Sequence, residues 1–516
     1  MKQRPVRRAL CISVHAGFRL ASDAGTAQQL TPRRFKRTQP PDPGGGSAKL
    51  MINHATSILT ITSEEVMSAI EDSTSTDIRT ILEKQRAAFL ANEPYSAEQR
   101  SELIDRAIGL LINHEQEIID ALTADFGHRS PSFSKGSEVL SPLLTLKQTK
   151  AQLAQWMQPE TREVKAGQAW VQYQPLGVVG IVTAWNVPGY MVFSGLAGAL
   201  AAGNRVMIKP SEFTPHTSAL IARLIRSVYA EDEVAVVLGD AQVGQAFCGQ
   251  PFDHLLFTGA TSIGKHVLRA AAENLVPVTL ELGGKSPSII SRSADFNDAV
   301  TKVVIGKLLN AGQLCVAPDY VFVPRESVDA FINVAKAVVA KVFPTLKDNP
   351  DYTSIINARH VQRLHGYLTE ARQAGVEVIE LNPSAEDLSQ APGNKIAPTL
   401  LRNPSDQLQV MQDEIFGPLL PIKPYDTITE VIAWINARPR PLALYYFGHD
   451  AEEQARVLNR TCSGGVTLNG VLSHASTESL PFGGVGQSGM GAYHGIDGFR
   501  TFSHAKAVLN TAPNPA

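Results

Sequence analysis

Val178-Val179-Gly180-Ile181-Val182 is a run of five small or apolar residues with no alternation. A strand covered on both faces reads this way, and such strands belong to parallel sheets. Outward from it, residues 192–202 read as a helix closed by Gly203, and Arg205-Val206-Met207-Ile208-Lys209 as a second buried strand. The pattern continues with a helix over 217–229, strands at 234–238 and 254–258, and a helix over 262–273. It reaches the strand-like run Pro277-Val278-Thr279-Leu280-Glu281-Leu282. Strands alternating with helices at this spacing predict an α/β fold with a doubly wound parallel sheet. After Glu281 the alternation restarts, with helices at 296–310, 327–343, 358–374 and 427–436 and a strand at 320–323. A second α/β domain follows from that restart. Upstream, helices are expected from Asp77, with Ile78, Ile81, Leu82, Phe89 and Leu90 on one face, then over 97–124 and 137–157. An exposed strand is expected at Trp170–Tyr173, and the Gly-rich tail from Leu480 to His504 is expected to wrap or bridge.

At 516 residues the chain is long enough for two or three domains. A hydrophobic content of 44% with 19% charged residues describes an ordinary globular protein, and no apolar run approaches a bilayer span. Four scattered cysteines (Cys11, Cys248, Cys315, Cys462) form no disulfide framework and no CxxC pair, which predicts a reducing, cytoplasmic setting. No histidine or cysteine spacing fits a metal, so none is expected. The first 50 residues carry ten Lys/Arg against two Asp, and include Gln39-Pro40-Pro41-Asp42-Pro43-Gly44-Gly45-Gly46-Ser47. Residues 1–70 are therefore expected to be a disordered or mis-assigned extension, with translation starting at Met51 or Met67.

Two residues suggest chemistry. Cys315 closes Asn310-Ala311-Gly312-Gln313-Leu314-Cys315, and Glu281 is followed by Gly283-Gly284-Lys285. A thiol beside a carboxylate suits acyl chemistry on sulfur, with the carboxylate activating the nucleophile or the releasing water. An isolated cysteine is more often a buried small hydrophobe, but the glycines flanking both residues imply close backbone approach. Asn186, in Ala184-Trp185-Asn186-Val187-Pro188 at the end of the first strand, is placed to donate to an oxyanion, or to cap a helix. Lys209-Pro210-Ser211-Glu212 follows a buried strand, where ligand-binding groups gather in open α/β sheets. Lys209 and Glu212 suit the two hydroxyls of a ribose, and the carboxylate would repel a 2′-phosphate.

Two glycine patterns are decoys. Gly259-Ala260-Thr261-Ser262-Ile263-Gly264-Lys265-His266 ends in histidine where a phosphate loop needs a hydroxyl for magnesium. Its strand, glycine turn and helix start can still offer amides to a pyrophosphate. Gly484-Val485-Gly486-Gln487-Ser488-Gly489 fits GxGxxG but follows no buried strand, and is expected to be a flexible loop.

Taken together, Leu280–Lys285, Gly312–Cys315, Phe257-Thr258-Gly259, Lys209–Glu212 and Glu414-Ile415-Phe416-Gly417-Pro418 resemble the aldehyde dehydrogenase superfamily over residues 75–510. Cys315–Tyr320, Pro481–Gly486 and Ser488–Gly495 resemble its class-three branch. Asp351–Asn357 and Pro441–Phe447 are most similar to bacterial coniferyl aldehyde dehydrogenases. The resemblance implies attack of a Cys315 thiolate on an aldehyde, with Asn186 and the Cys315 amide holding the oxyanion. Hydride transfer to NAD, or NADP as the tolerated alternative, would leave a thioester that Glu281 hydrolyses through water. It further implies that Lys209 and Glu212 hold the adenosine ribose, and that Glu414 and Phe416 place the nicotinamide ribose and ring. The cofactor pyrophosphate would meet Gly259, Ala260, Thr261, Ser262 and Gly264. The expected division is an NAD-binding domain from 71–160 and 176–280, a catalytic domain at 281–478, and bridging segments at 161–175 and 479–516. A homodimer acting on a small aldehyde is implied, with no nucleic acid or membrane partner. Coniferyl or a related aromatic aldehyde is the expected substrate. A medium-chain aliphatic aldehyde dehydrogenase, a coenzyme A-acylating enzyme and a catalytically silent homologue are the alternatives. Val187, Ala260 and Leu314 stand where the family commonly has an aromatic residue, Ser and Thr.

Overall fold

The computed structural model describes residues 75–511. The expectations for residues 1–70 lie outside them. In chain order the strands begin with β1 (Glu160–Arg162) and β2 (Gln168–Pro175). Then come β3 (Val178–Val182), β4 (Arg205–Lys209), β5 (Val234–Val236), β6 (His254–Thr258) and β7 (Val278–Glu281). A second series runs β8 (Pro287–Ile290), β9 (Tyr320–Pro324), β10 (Glu377–Glu380), β11 (Thr399–Arg402), β12 (Leu419–Tyr425), β13 (Ala443–Phe447) and β14 (Gly465–Leu468). β15 (Gly489–Met490) and β16 (Ser503–Asn510) close the chain.

They form three sheets. The first has the order β15-β7-β6-β3-β4-β5, parallel except for β15. The second has the order β10-β11-β12-β9-β8-β13-β14, parallel except for β10. The third is the antiparallel set β1-β2-β16. The architecture is α/β, as the alternation predicts. Every residue of β3, β4, β6, β8, β9 and β13 is buried, the physical counterpart of their predominantly apolar sequences.

The helix after β3, Pro188–Ala202, shows why the sequence folds as it does here. Pro188 sits in its first turn, where no amide partner is lost, and Gly203 ends it with φ of 89°. Leu196 and Leu200 are sealed against the sheet, each contributing roughly 1.5–3 kcal/mol of burial.

Four local expectations need correction. The predicted helix over 97–124 is two helices, Ala97–Asn113 and Glu115–Phe126, broken at His114, whose backbone leaves the helical region while the apolar period continues. The predicted helix over 137–157 is regular only over Ser141–Trp156; before it Lys135–Leu140 is π-helical, because Glu138 turns inward to a buried partner. Leu90, expected on the packed face, is 75% exposed in the last turn of its helix. The 484–489 segment is a closely packed turn rather than a loose loop: a Cβ at Gly484 would fall 2.0 Å from the Ser488 carbonyl oxygen. The end of that turn supplies β15, so part of the tail joins the first sheet.

Candidate active site

Four neighbouring strands, in the order β4-β3-β6-β7, end on the same edge of the first sheet. Lys209 ends β4, the Trp185-Asn186 pair follows β3, Gly259 follows β6, and Glu281 ends β7. Parallel strands deliver all four segments to one crevice, where open α/β sheets bind ligands. Cys315 arrives from the second unit of alternation, after the helix Phe296–Leu308.

Between that helix and Cys315 the backbone is left-handed at three successive residues, Asn310, Ala311 and Gly312, with φ of 49°, 53° and 77°. Such geometry costs about 1–3 kcal/mol at each non-glycine residue and persists only where the surroundings enforce it. Here side chains enforce it. Asn310 Nδ2 donates to the Asn186 and Gln313 carbonyls at 3.1 and 3.3 Å. Gln313, fully buried, donates to the carbonyls of Asn310 and Ser354 at 2.9 and 3.0 Å, and accepts from the Ile356 amide at 3.0 Å. Gly312 is needed for space as well as for φ, because a Cβ would meet the Gly417 carbonyl oxygen at 2.3 Å. Asn186 is 2% exposed, and one of its amide hydrogens goes to the Gln313 carbonyl at 3.1 Å. That bond fixes the amide plane and leaves its second N–H to donate.

Cys315 is partly accessible, whereas Glu281 beside it is buried with Oε1 unpaired. Burial pushes Glu281 up to about 8, hydrogen bonding with the Cys315 thiol pulls it back, and the charge of Glu414 pushes it up again. Desolvation, then the charges of Glu281 and Glu414, hold the Cys315 thiol well above its usual range. The resting pair is therefore a neutral thiol facing a carboxyl that ionises near neutrality.

Glu414 also carries a buried, unpaired oxygen, and burial followed by the Asp319 charge pushes it up to about 8. Its carboxyl presses on Gly283, where a Cβ would lie 2.2 Å from Oε2. Phe416, with φ of 46°, sets its ring edge-on to Trp185 at 5.3 Å. The segment between them is clamped: Arg363 donates to the Ile415 carbonyl at 2.8 Å, and Asp319 accepts from the Ile415 amide at 2.8 Å.

Further along the same edge, the buried Lys209 ammonium donates to Glu212 at 2.9 Å and to the Pro210 carbonyl at 3.1 Å. Gly244 lies alongside, with room for the ammonium. The helix Thr261–Ala272 starts at Ala260 with no side-chain cap, leaving its first amides open. Ala260 and Ser262 are exposed there, and Thr261 donates from its hydroxyl to the Gln487 carbonyl at 3.1 Å. Gly264 is tight against Leu282, whose Cδ2 lies 2.8 Å from where a Cβ would stand.

The structure thus gathers Cys315, Glu281, Asn186, Glu414 and Phe416 around one point, and strings Lys209, Glu212 and residues 259–264 along the neighbouring strand ends. Sequence reasoning missed Gln313, Arg363, Asp319 and Lys285. Gln313, Lys285 and Asp319 lie in segments that carry the resemblance, but only Gln313 stands out by type, as a polar residue inside the glycine frame. Among the described residues no group of three or more His, Cys, Asp or Glu could hold a metal ion.

Comparison with known proteins agrees with this geometry. Residues 53–508 match the model of the aldehyde dehydrogenase family. The chain is 54% identical over 436 residues to the probable coniferyl aldehyde dehydrogenase of Caulobacter vibrioides, covering 83% of this chain and 90% of that protein. It is 53% identical over 434 residues to the coniferyl aldehyde dehydrogenase of a Pseudomonas species, covering 84% and 90%. The crystal structure of Mycobacterium tuberculosis aldehyde dehydrogenase complexed with NAD+ superposes with a TM-score of 0.77 at 28% identity, over 86% of this chain and 92% of that one. Similarity of this extent, running through both large sheets and the crevice they share, settles the family: this chain is a member of the aldehyde dehydrogenases, an oxidoreductase acting on aldehydes.

Proposed function

We propose that the enzyme oxidises an aromatic aldehyde, coniferyl aldehyde or a close relative, to its carboxylic acid with NAD(P), through a thioester on Cys315. The observation that carries the reading is the pairing of a buried Glu281 with the Cys315 thiol, with the Asn186 amide bonded to the Gln313 carbonyl two residues before that thiol. Glu281, pushed up to about 8, ionises in the range needed to take a proton from the thiol. The thiolate then bonds to the carbonyl carbon, and the oxygen becomes an alkoxide facing Asn186 Nδ2 and the Cys315 amide. Nicotinamide, when bound, supplies the acceptor for the hydride that leaves that carbon. Glu281 first releases the thiol proton to solvent and is a carboxylate again; it then takes a proton from water, the hydroxide adds to the thioester carbon, and the C–S bond breaks to return the thiolate and the acid.

The residues present fit the cofactor. The unpaired Glu414 oxygen suits the hydroxyls of the nicotinamide ribose, and Phe416 suits one side of its ring. The open amides at 261–262, bared by Ala260 and the glycines at 259 and 264, suit a pyrophosphate. Lys209 and Glu212 suit the adenosine ribose, with Glu212 favouring NAD over NADP through its charge.

The relatives' names support the aromatic substrate. The coenzyme A-acylating alternative is disfavoured by Glu281, a water-activating base at the thiol, and the silent homologue by the intact Cys315, Asn186 and Glu281. Among the described residues no helix is long and apolar enough to cross a membrane, and the three described cysteines are free thiols. A cytoplasmic homodimer is the reading we attach, with the β1-β2-β16 sheet as the bridging element and the other two sheets as the cofactor and catalytic domains.

The test is NADH formation from coniferaldehyde and from hexanal at equal concentration, without coenzyme A. Steady turnover favouring coniferaldehyde is expected. Faster hexanal oxidation would move the substrate to the aliphatic class. One burst per active site, continuing only with coenzyme A, would remove the hydrolytic role of Glu281.

A further inference from the structure

Among the described residues three glutamates keep a buried carboxyl oxygen with no hydrogen-bond partner: Glu281, Glu414 and Glu478. The first two face the reacting end of the site. The third has no part in the chemistry above. A buried oxygen that has given up water without gaining a partner is destabilising, so its retention points to an occupant.

Glu478 is held in place rather than loose. Its Oε1 accepts the Thr145 hydroxyl at 2.5 Å, which leaves Oε2 as the unused edge. Its carbonyl lies against Gly495, where a Cβ would come within 2.2 Å, so it packs on the turn carrying Tyr493 and His494. His494 lies 3.3 Å from the Tyr190 hydroxyl and stacks on Phe482 at 4.8 Å. Tyr190 belongs to the helix that starts just after Asn186. The hydroxyls of Tyr190 and Tyr493 feel the charge of Glu478 and also those of Cys315 and Glu281. The aromatic cluster of Tyr190, Phe482, Tyr493 and His494 thus stands beside a carboxyl with one free oxygen and within electrostatic reach of the thiol.

We propose that Glu478, oriented by Thr145 beside the Tyr190–Tyr493 wall, is the hydrogen-bond anchor for the ring hydroxyl of a phenolic aldehyde. It is then the residue that makes the enzyme prefer 4-hydroxyaryl propenals to aldehydes with apolar tails. A phenol both donates and accepts, so it pairs with the carboxyl in either protonation state. An alkyl tail would leave Oε2 unpaired, and a site built around a hydroxyl discriminates strongly against analogues that lack it. The proposal rests on the aromatic-aldehyde reading above and adds the group that enforces it.

The experiment compares kcat/KM for 4-hydroxycinnamaldehyde and cinnamaldehyde in the wild type, Glu478→Gln and Glu478→Leu, with hexanal as a third substrate. The wild type is expected to favour the hydroxylated aldehyde. Glu478→Leu is expected to lose roughly 10- to 100-fold on it while keeping or gaining activity on cinnamaldehyde. Glu478→Gln should retain part of the preference. Equal losses on both aryl aldehydes would assign Glu478 a structural role and overturn the proposal, as would a wild type indifferent to the hydroxyl. A wild type that oxidises hexanal but neither aryl aldehyde would instead sink the aromatic-aldehyde reading, and this proposal with it.

Discussion

Lys285 and Asp319 form a largely buried ion pair, one standing four residues beyond Glu281 and the other four residues beyond Cys315. Lys285 also donates to the Val410 and Asp413 carbonyls at 2.8 and 2.9 Å, and Asp319 accepts the Ile415 amide. One pair therefore ties together the segments carrying Glu281, Cys315 and Glu414. Removing one partner strands the other charge, so Asp319→Ala should destabilise the fold by about 3–5 kcal/mol in urea unfolding. Lys285→Met/Asp319→Leu should lose less than either single change. A double variant that loses the sum of the two single effects would refute the coupling.

Activity should depend on pH through Glu281. Its carboxyl is pushed up to about 8 and acts ionised, so kcat/KM should rise about tenfold per pH unit below that value and level off above it. Glu281→Gln should leave a low, flat profile.

The same shift predicts a stability trend of opposite sign. An unfolded glutamate ionises near about 4.3, so the raised folded value stabilises most below that pH, and the contribution is lost as pH rises through about 8. Between pH 6 and 9 the wild type should lose roughly 3 kcal/mol relative to Glu281→Gln. Denaturant midpoints of the two proteins that run parallel with pH would contradict it.

Gly312→Ala should damage both fold and activity. Its φ of 77° strains any side chain, and the Gly417 carbonyl occupies the space a methyl needs. A loss of at least about 2 kcal/mol is expected, and kcat should fall as the Cys315 loop shifts.

Asn186→Ala should lower kcat by about 10²–10³ if its free N–H faces the alkoxide, while leaving KM for NAD unchanged. A matching rise in that KM would instead place Asn186 at the cofactor.

Much of this was legible in the chain and some was not, for identifiable reasons. Buried parallel strands write themselves as apolar runs without alternation, so Val178–Val182 and the Val206-Met207-Ile208 centre of Arg205–Lys209 are plain. Cys315 and Glu281 stood out because glycines beside them leave room for close approach. Arg363 and Asp319 did not, since their partners, the backbone groups of 414–416, are far along the chain and carry no residue-type signature. The π-helical turn at 135–140 was hidden for a similar reason: Glu138 reads as a surface residue until Arg129 and the Tyr190 amide are seen around it.

The pairing of Gly489 with Glu281, reinforced by the Leu282 amide donating to the Ser488 carbonyl at 3.0 Å, bears on how the enzyme is made. The strand that ends in Glu281 is translated long before the residues that pair with it. A nascent chain carries the thiol and the carboxyl early, but its first sheet stays open beside Glu281 until residues 488–490 are made. The edge of the sheet that carries the carboxyl is thus closed by a segment made about two hundred residues later, and the order of synthesis separates the two chemical groups from the pairing that seats one of them.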